Sequence, residues 1–508
     1  MTTKAFCLRN FILLPILLLL VTGYNTNVLS AAPSADSKGN GNLIWAKCAQ
    51  GVFGLGITTL SDNSTVVTGD FNGTATFGPG EANETVLTSA GNNDIFIARY
   101  NPDGTLLWAK RAGGTDYDVG RGITSLSDNS TVVTGNFCGT ATFGEGEINE
   151  ITLTSLGLND IFIARYNPNG TLSWAKRMGG LNNDIGCGIT TLSDNSTIVT
   201  GNFSDKATFG PDESNQIVLA SAGSIDVFIA RYNPDGSLAW VKRAGGKTGE
   251  EGFGITTLSD NSTVVTGTFY GSATFGPGEI NQTVLSSATL LFQSLLHPYE
   301  EWGDISIARY NPDGTLLWAK RAGGKGSDEG NAVTTLSDNS TVVAGSFIRS
   351  ATFGQGEPNQ TVLTSAGGAD IFIARYNPDG SLAWVKRAGG SDSDNYSDIG
   401  WGITTLSDNS TIVDGHLMRP ATFGKGEPNQ TVLQSSGGGF IARYNPDGSL
   451  AWAKSAGKNC RGITTLSDNS TVVIGNFSGS STFGKGETNE IVLTSVRLDG
   501  MSIARFAP

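Results

Sequence analysis

The chain has 508 residues, 69 of them Gly and 16 Pro, with 38% hydrophobic and only 16% charged residues, where an average globular protein carries roughly a quarter charged. A composition so rich in glycine and poor in charge excludes a coiled coil, a helical repeat array and a charged disordered tail. The net charge of -13, from 33 Lys+Arg against 46 Asp+Glu without a basic run, excludes a nucleic-acid or anionic-membrane partner.

The first thirty residues differ in kind from the rest. Lys4 and Arg9 precede an apolar run from Phe11 to Val21, and the small residues Ser30, Ala31 and Ala32 follow. This order reads as a signal peptide over residues 1–31, with a short flexible leader over 32–42. The run is interrupted by Pro15, and no stretch reaches the about 20 apolar residues of a membrane span. Cys7 lies ahead of the run, so no lipid anchor is expected at the cleavage point. The expected location is secreted, periplasmic or at the cell surface. Export would let disulfides persist, yet Cys48, Cys138, Cys187 and Cys460 are too few for a disulfide framework and are expected as free thiols.

Self-similarity dominates everything from residue 43 to 508. Leu-Ser-Asp-Asn-Ser-Thr begins at Leu60, Leu126, Leu192, Leu258, Leu336, Leu406 and Leu466. Trp followed by Ala or Val and Lys recurs at Trp45, Trp108, Trp174, Trp240, Trp318, Trp384 and Trp452, mostly 66 residues apart. Within one repeat, Gly56–Leu60 reads as strand A, Thr65–Phe71 as strand B, Asp94–Tyr100 as strand C and Thr105–Arg111 as strand D. The turn Asn101-Pro102-Asp103-Gly104 joins C to D, with Pro pre-set for the second turn position and Gly free to take positive φ. The B–C connection is too long for a plain loop, and its segments Ala75–Gly78 and Thr85–Ser89 are expected to form an extra hairpin.

Four antiparallel strands per repeat without helical periodicity describe a blade, so the fold class is all-β, a seven-bladed β-propeller. The chain begins with an isolated D strand (Leu43–Lys47) and ends with an isolated C strand (Ser502–Phe506), so the N-terminal strand is expected to close the ring. The wording GITTLSDNSTVVTGNF, followed by SAGxxDIFIARYNPDGTLLWAKRAGG, resembles the secreted bacterial β-propeller repeat proteins of the SBBP type. That resemblance implies the fold and export, and little chemistry. A second likeness runs from Ala98 through Gly104 to Trp108, with the spacing of the tryptophan-docking motif of quinoprotein propellers, but Tyr100 stands where that motif has an acidic residue.

An identical tryptophan in every repeat is what packing between neighbouring blades requires, so Trp108 and its counterparts are read as structural. Arg99 and Lys110 are read as blade-edge charge partners. Each Asn-Ser-Thr, as at Asn63, is formally a glycosylation sequon, but the same residues are what the A–B turn wants.

Catalytic constellations are scarce: the two histidines, His297 and His416, lie in different repeats, and no HExxH, CxxC, GxSxG or phosphate-loop pattern occurs. The variable positions concentrate at the start of strand A and the end of strand B. The first set is Leu55, Arg121, Cys187, Phe253, Asn331, Trp401 and Arg461; the second includes Asn72, Cys138, Ser204, Tyr270, Ile348, Met418 and Ser478. Both project at the face carrying the D–A and B–C loops, where ligand sites on rigid scaffolds are commonly built. The same face is expected to carry an exposed crescent of carboxylates, Asp118, Asp184, Glu250, Asp328 and Asp398, able to bind Ca²⁺, a cationic partner or a glycan, or simply to keep the protein soluble. Asp392, Asp394 and Asp398 form the best single Ca²⁺ candidate, and no other cofactor is expected. The fourth repeat is 78 residues long because of an insertion around Leu290 to Trp302, whose Phe292, His297, Tyr299 and Trp302 offer a partner platform or fold back on the blade edge.

The expected function is an exported, monomeric, non-catalytic propeller that binds a protein or polysaccharide, with Phe253, Tyr270, Trp302 and Trp401 as apolar anchors and Asp328 and Asp398 as polar ones. The alternatives are a propeller enzyme acting on polysaccharide or of the quinone type, and a lectin with seven equivalent sites.

Overall fold

A computed structural model describes residues 40–288, 302–390, 397–434, 437–495 and 499–508. The described residues are all-β, and every strand pairing between named strands is antiparallel. The predicted order A-B-C-D recurs in pairing. In the second repeat Val119–Ser125 pairs with Thr131–Phe143, which pairs with Ile151–Tyr166, which pairs with Leu172–Gly180. The first strand, Leu43–Thr59, serves twice: Leu43–Gln50 lies along Gly500–Phe506, and the remainder along Thr65–Phe77. Trp45 therefore stands opposite Arg505, which stands opposite Val472.

Strand B carries little alternation because both of its faces are covered. The first seven residues of Thr131–Phe143 are all buried, the pattern of a strand sandwiched between two layers. The core accordingly lies between successive sheets. Ile95 and Ile97 of one repeat pack with Val133, Phe137, Phe143 and Phe162 of the next, each buried side chain contributing about 1.5–3 kcal/mol. The innermost strands approach one another backbone to backbone: a β-carbon at Gly56 would lie 2.6 Å from the Arg121 carbonyl, and one at Gly188 2.6 Å from that of Phe253. Their order of contact is Leu43–Thr59, Val119–Ser125, Ile185–Thr191, Glu250–Thr257, Glu329–Thr335, Ile399–Thr405, Cys460–Thr465 and again Leu43–Thr59.

The extra hairpin is present in all seven repeats, for example Lys206–Phe209 with Ile217–Ala220 and Ser480–Phe483 with Ile491–Thr494. It pairs with the end of strand D of the preceding repeat, as Ala141 and Thr142 do with Gly114 and Gly113. The glycine is required there, because a β-carbon at Gly114 would sit 1.7 Å from the Thr140 carbonyl oxygen.

The repeated polar residues bind neighbour to neighbour. Trp108 Nε1 donates to the Pro168 carbonyl in the next C–D turn at 3.1 Å, and a β-carbon at Gly170 would meet its ring at 2.8 Å. The same bond recurs from Trp45, Trp174, Trp240, Trp318 and Trp384. Trp452 differs: among the described residues its buried Nε1 has no acceptor, and its ring covers Gly41, which takes the turn glycine's place at φ +63. Arg99 ties Asp62 and Ser64 of its own repeat to Pro168 of the next, and Lys110 pairs with Glu147 at 2.8 Å.

Candidate functional site: the D–A and B–C loop face

The two ends of the repeat unit differ in what their side chains touch. At the A–B turns, Asn63, Asn129, Asn195, Asn261, Asn339, Asn409 and Asn469 all adopt φ between 61 and 63°. Each side-chain carbonyl accepts the backbone N–H of a serine in the neighbouring turn at 2.8–3.0 Å, with the Asn63 carbonyl receiving that of Ser467. Just inside, threonine hydroxyls of successive innermost strands pair at 2.8–3.0 Å, from Thr124 with Thr191 around to Thr464 with Thr59. The constancy of the A–B turns thus has a structural cause, and the turn reading of the Asn-Ser-Thr sequons agrees with these contacts.

The opposite face carries the variable positions. Leu55, Asn331, Trp401 and Arg461 line one cavity of ≈ 190 Å³ together with the Gly-Ile pairs of the innermost strands, Ala332 and Val333 taking their place in the fifth repeat. The Arg461 guanidinium lies 4.2 Å from the centroid of the Trp401 ring and 5.9 Å from that of Phe53, within cation–π range. Phe253 begins the neighbouring strand segment, its carbonyl against Gly188. Tyr270 and Trp302 form a separate group. The Tyr270 ring abuts Gly303, its carbonyl accepts the Thr248 hydroxyl, and Trp302 stacks with Arg349 at 4.4 Å. Of the four aromatic residues expected as anchors, Trp401 lines the inner cavity, Tyr270 and Trp302 flank Gly303 at the junction of strands B and C, and Phe253 stands outside the cavity lining, next to Gly254. Asp392 and Asp394, like Phe292, His297 and Tyr299, lie outside the described residues.

The carboxylate crescent is not exposed. Asp118, Asp184 and Asp328 are 0% exposed, Glu250 1% and Asp398 5%. Each accepts the N–H of a residue at the start of the D–A loop, and all except Glu250 also hold the residue after strand B. Asp328 takes Gly324 N–H at 2.8 Å and Ile348 N–H at 3.1 Å; Asp398 takes Gly390 N–H at 3.1 Å and Met418 N–H at 3.0 Å. Glu250, longer by a methylene, takes Gly246 N–H and the Thr248 hydroxyl. These residues staple the loops from beneath, which corrects both the expected crescent of surface charge and the use of Asp328 and Asp398 as accessible anchors. Burial and the neighbouring Asp304 push the Asp328 carboxyl up to about 8 against the pull of its two N–H donors. Burial raises Asp118 and Asp184 to about 7, also against their N–H donors.

Charge at the face comes instead from residues the sequence pattern did not single out. Burial raises the carboxyl of Glu251, with Arg121 opposing, and that of Glu329, which Glu251 raises further. Asp70 is pushed to about 6 by burial, moderated by its hydrogen bond from Asn93 and by Arg121. The signal was the replacement of Val119 and Ile185 by Glu251 and Glu329 at one repeat position. Asp414 stands where other repeats have a threonine such as Thr68; it is buried, and burial raises its carboxyl to about 7 against the backbone N–H groups of Gly402 and Gly462. His416 Nε2 contacts Met418 Sδ at 2.9 Å, and burial lowers its pKa. Of the five cysteines, the four among the described residues, Cys48, Cys138, Cys187 and Cys460, are free, and the described residues hold no group of three or more His, Cys, Asp or Glu able to bind a metal. No helix among them is long and apolar enough to cross a membrane.

This is a β-propeller repeat protein. A model of the domain of unknown function (DUF5122) β-propeller matches residues 84–106, 214–238 and 361–382, the stretch from the outer hairpin through strand C to the start of D in three repeats. The chain is 23% identical, over 84% of its length, to an uncharacterized WD repeat-containing protein of Acanthamoeba polyphaga mimivirus, of which it covers 35%. It is 21% identical over 72% of its length to the regulatory protein FlaEY of Caulobacter vibrioides, of which it covers 40%. It thus spans well under half of these relatives. Among solved structures, BamB from Moraxella catarrhalis aligns with 90% of this chain and 100% of its own at 10% identity and a TM-score of 0.35.

Proposed function

We propose that the chain is an exported, seven-bladed propeller, completed by its N-terminal strand, that binds a protein or polysaccharide on its D–A and B–C loop face without catalysis. The pairing of Leu43–Gln50 with Gly500–Phe506 and the cyclic order of contact of the innermost strands support the closed ring. The basic and apolar N-terminal segment supports export. One observation carries the functional reading: the side chains that join repeats recur along the chain, whereas the cavity adds to the recurring Gly-Ile pairs four unlike side chains, Leu55, Asn331, Trp401 and Arg461. A non-repeating cluster at the inner end of a repeating scaffold suits one asymmetric ligand better than seven equivalent ones. Trp401 and Phe253 serve as the inner apolar anchors, and Tyr270 and Trp302 as an outer pair.

The test is a glycan array and a panel of purified secreted proteins probed with the mature chain. Specific binding without turnover is expected, weakened at least about fivefold, or about 1 kcal/mol, by Trp401→Ala with folding retained. Turnover of a bound glycan, or binding indifferent to Trp401→Ala and Trp302→Ala together, would overturn the reading.

A further inference from the structure

Each loop-stapling carboxylate of the second, third and fifth repeats faces another from the repeat before it. Asp94 and Asp118 are both fully buried, and a β-carbon at Gly113 would lie 3.0 Å from Asp94 Oδ1 and 2.9 Å from Asp118 Oδ2. Gly179 is bracketed in the same way by Asp160 and Asp184, and Gly323 by Asp304 and Asp328; the three glycines have φ of +148, +143 and +141°.

The charges in each pair do not cancel. Asp94 Oδ2 accepts Ala90 N–H and an Arg111 N–H, and Asp118 accepts Gly114 and Cys138 N–H groups. Each pair has one ion-paired guanidinium, and it sits on the first carboxylate: Arg111 on Asp94, Arg177 on Asp160 and Arg321 on Asp304, while Asp118, Asp184 and Asp328 form no salt bridge of their own. Arg111 is shared further with exposed Glu145. Meanwhile Asp94 Oδ1, Asp160 Oδ1 and Asp304 Oδ1 are buried acceptors without a donor. An uncompensated buried charge and an orphaned acceptor each cost several kcal/mol, and one proton between the two carboxyls removes both costs.

We propose that Asp118, Asp184 and Asp328 each hold a proton at neutral pH and donate it to the orphaned Oδ1 of Asp94, Asp160 and Asp304, so that acid–carboxylate hydrogen bonds join successive repeats. The proton comes from solvent on folding and leaves as hydroxide titrates it; no other bond changes. A Ca²⁺ ion needs six to eight oxygen ligands, and each pair brings two carboxylates, with no group of three or more His, Cys, Asp or Glu able to hold a metal among the described residues. The remaining charged neighbours act in the same direction or weakly: Asp116 adds negative charge beside Asp118, and no basic group other than the named arginine faces either of the other pairs closely enough to lead its titration.

The sign follows from linkage. A carboxyl raised on folding contributes stability that is full below its unfolded value near 3.8 and lost as pH rises through its folded value, about 7 for Asp118 and Asp184 and about 8 for Asp328. The test compares the full chain with Asp118→Asn/Asp184→Asn/Asp328→Asn in unfolding titrations from pH 5 to 9. Asn donates at every pH but loses one acceptor, so it shifts stability uniformly and removes the titration. Each pair should add about a tenfold change in the unfolding constant per pH unit between roughly pH 5 and 7, absent from the triple variant. If that variant does not fold, each single variant should lower the slope by about one proton, the tenfold-per-unit share of its own pair. An unchanged slope overturns the proposal. So does stabilisation by Ca²⁺ at pH 8 that EDTA reverses and the variants lack, which would place a cation where the proton is assigned.

Discussion

The A–B end and the loop end of the same repeats use carboxylates in opposite ways. At the A–B turns Asp62 and its counterparts are half-exposed, each paired with an arginine. Burial works against ionisation of Asp62, but its Ser64 hydrogen bonds and Arg99 outweigh it and hold the carboxyl below its usual value. At the loop end the stapling carboxylates are buried and raised. Stability from the first set is present above about pH 4 and lost as pH falls further; stability from the second is present at acid pH and lost on passing neutrality. The comparison teaches that a residue's recurrence measures how many neighbours it binds. The A–B turn recurs because its asparagine and first serine join each repeat to the next while its aspartate holds the arginine that does the same, and the loop end diversifies where side chains leave the staple and face the cavity.

The largest expected effect comes from breaking the pairing of the two ends of the chain. Removing residues 1–50 deletes the partner of Gly500–Phe506 and the Trp45 contact with Pro102. It should destabilise the protein by at least about 3 kcal/mol in denaturant titration; an unchanged midpoint would contradict the pairing. Trp174→Ala should follow, at about 2–3 kcal/mol, through loss of the stack on Gly236 and the bond to Pro234. A subtler version uses phenylalanine: Trp174→Phe should cost about 1 kcal/mol more than Trp452→Phe, because Trp452 Nε1 has no acceptor to lose. Asn195→Ala should cost about 1–2 kcal/mol, through its φ of +62° and its bonds to Ser127, and Asn195→Gly less. The smallest stability effect is expected at the cavity, where Trp401→Ala should stay within about 1 kcal/mol of the parent melting curve while changing binding.

Much of this architecture was legible in the sequence because the repeats act as internal controls. Strand boundaries, the Pro-Asp-Gly turn, the extra hairpin and the inter-repeat tryptophans all follow from spacing and turn chemistry. What stayed hidden depended on contacts between repeats. Asp118 reads as an exposed loop residue because Gly113 and Gly114 precede it closely; its burial follows only once the next hairpin is seen to cross Gly114. The separation of Trp401, at the inner cavity, from Tyr270 and Trp302, beside Gly303, was equally hidden, since it depends on contacts between repeats. The likeness around Ala98, Gly104 and Trp108 coincides with a tryptophan seated on a neighbouring turn glycine, Trp45 on Gly104 and Trp108 on Gly170.

The most direct test of the proposed binding face is a hydrogen-exchange footprint of the chain with a ligand found by the glycan-array and protein-panel screen. The account predicts protection at the starts of the innermost strands around Leu55, Phe253, Trp401 and Arg461, with the seven A–B turns unchanged. Protection centred on the A–B turns, or spread equally over all seven repeats, would contradict it.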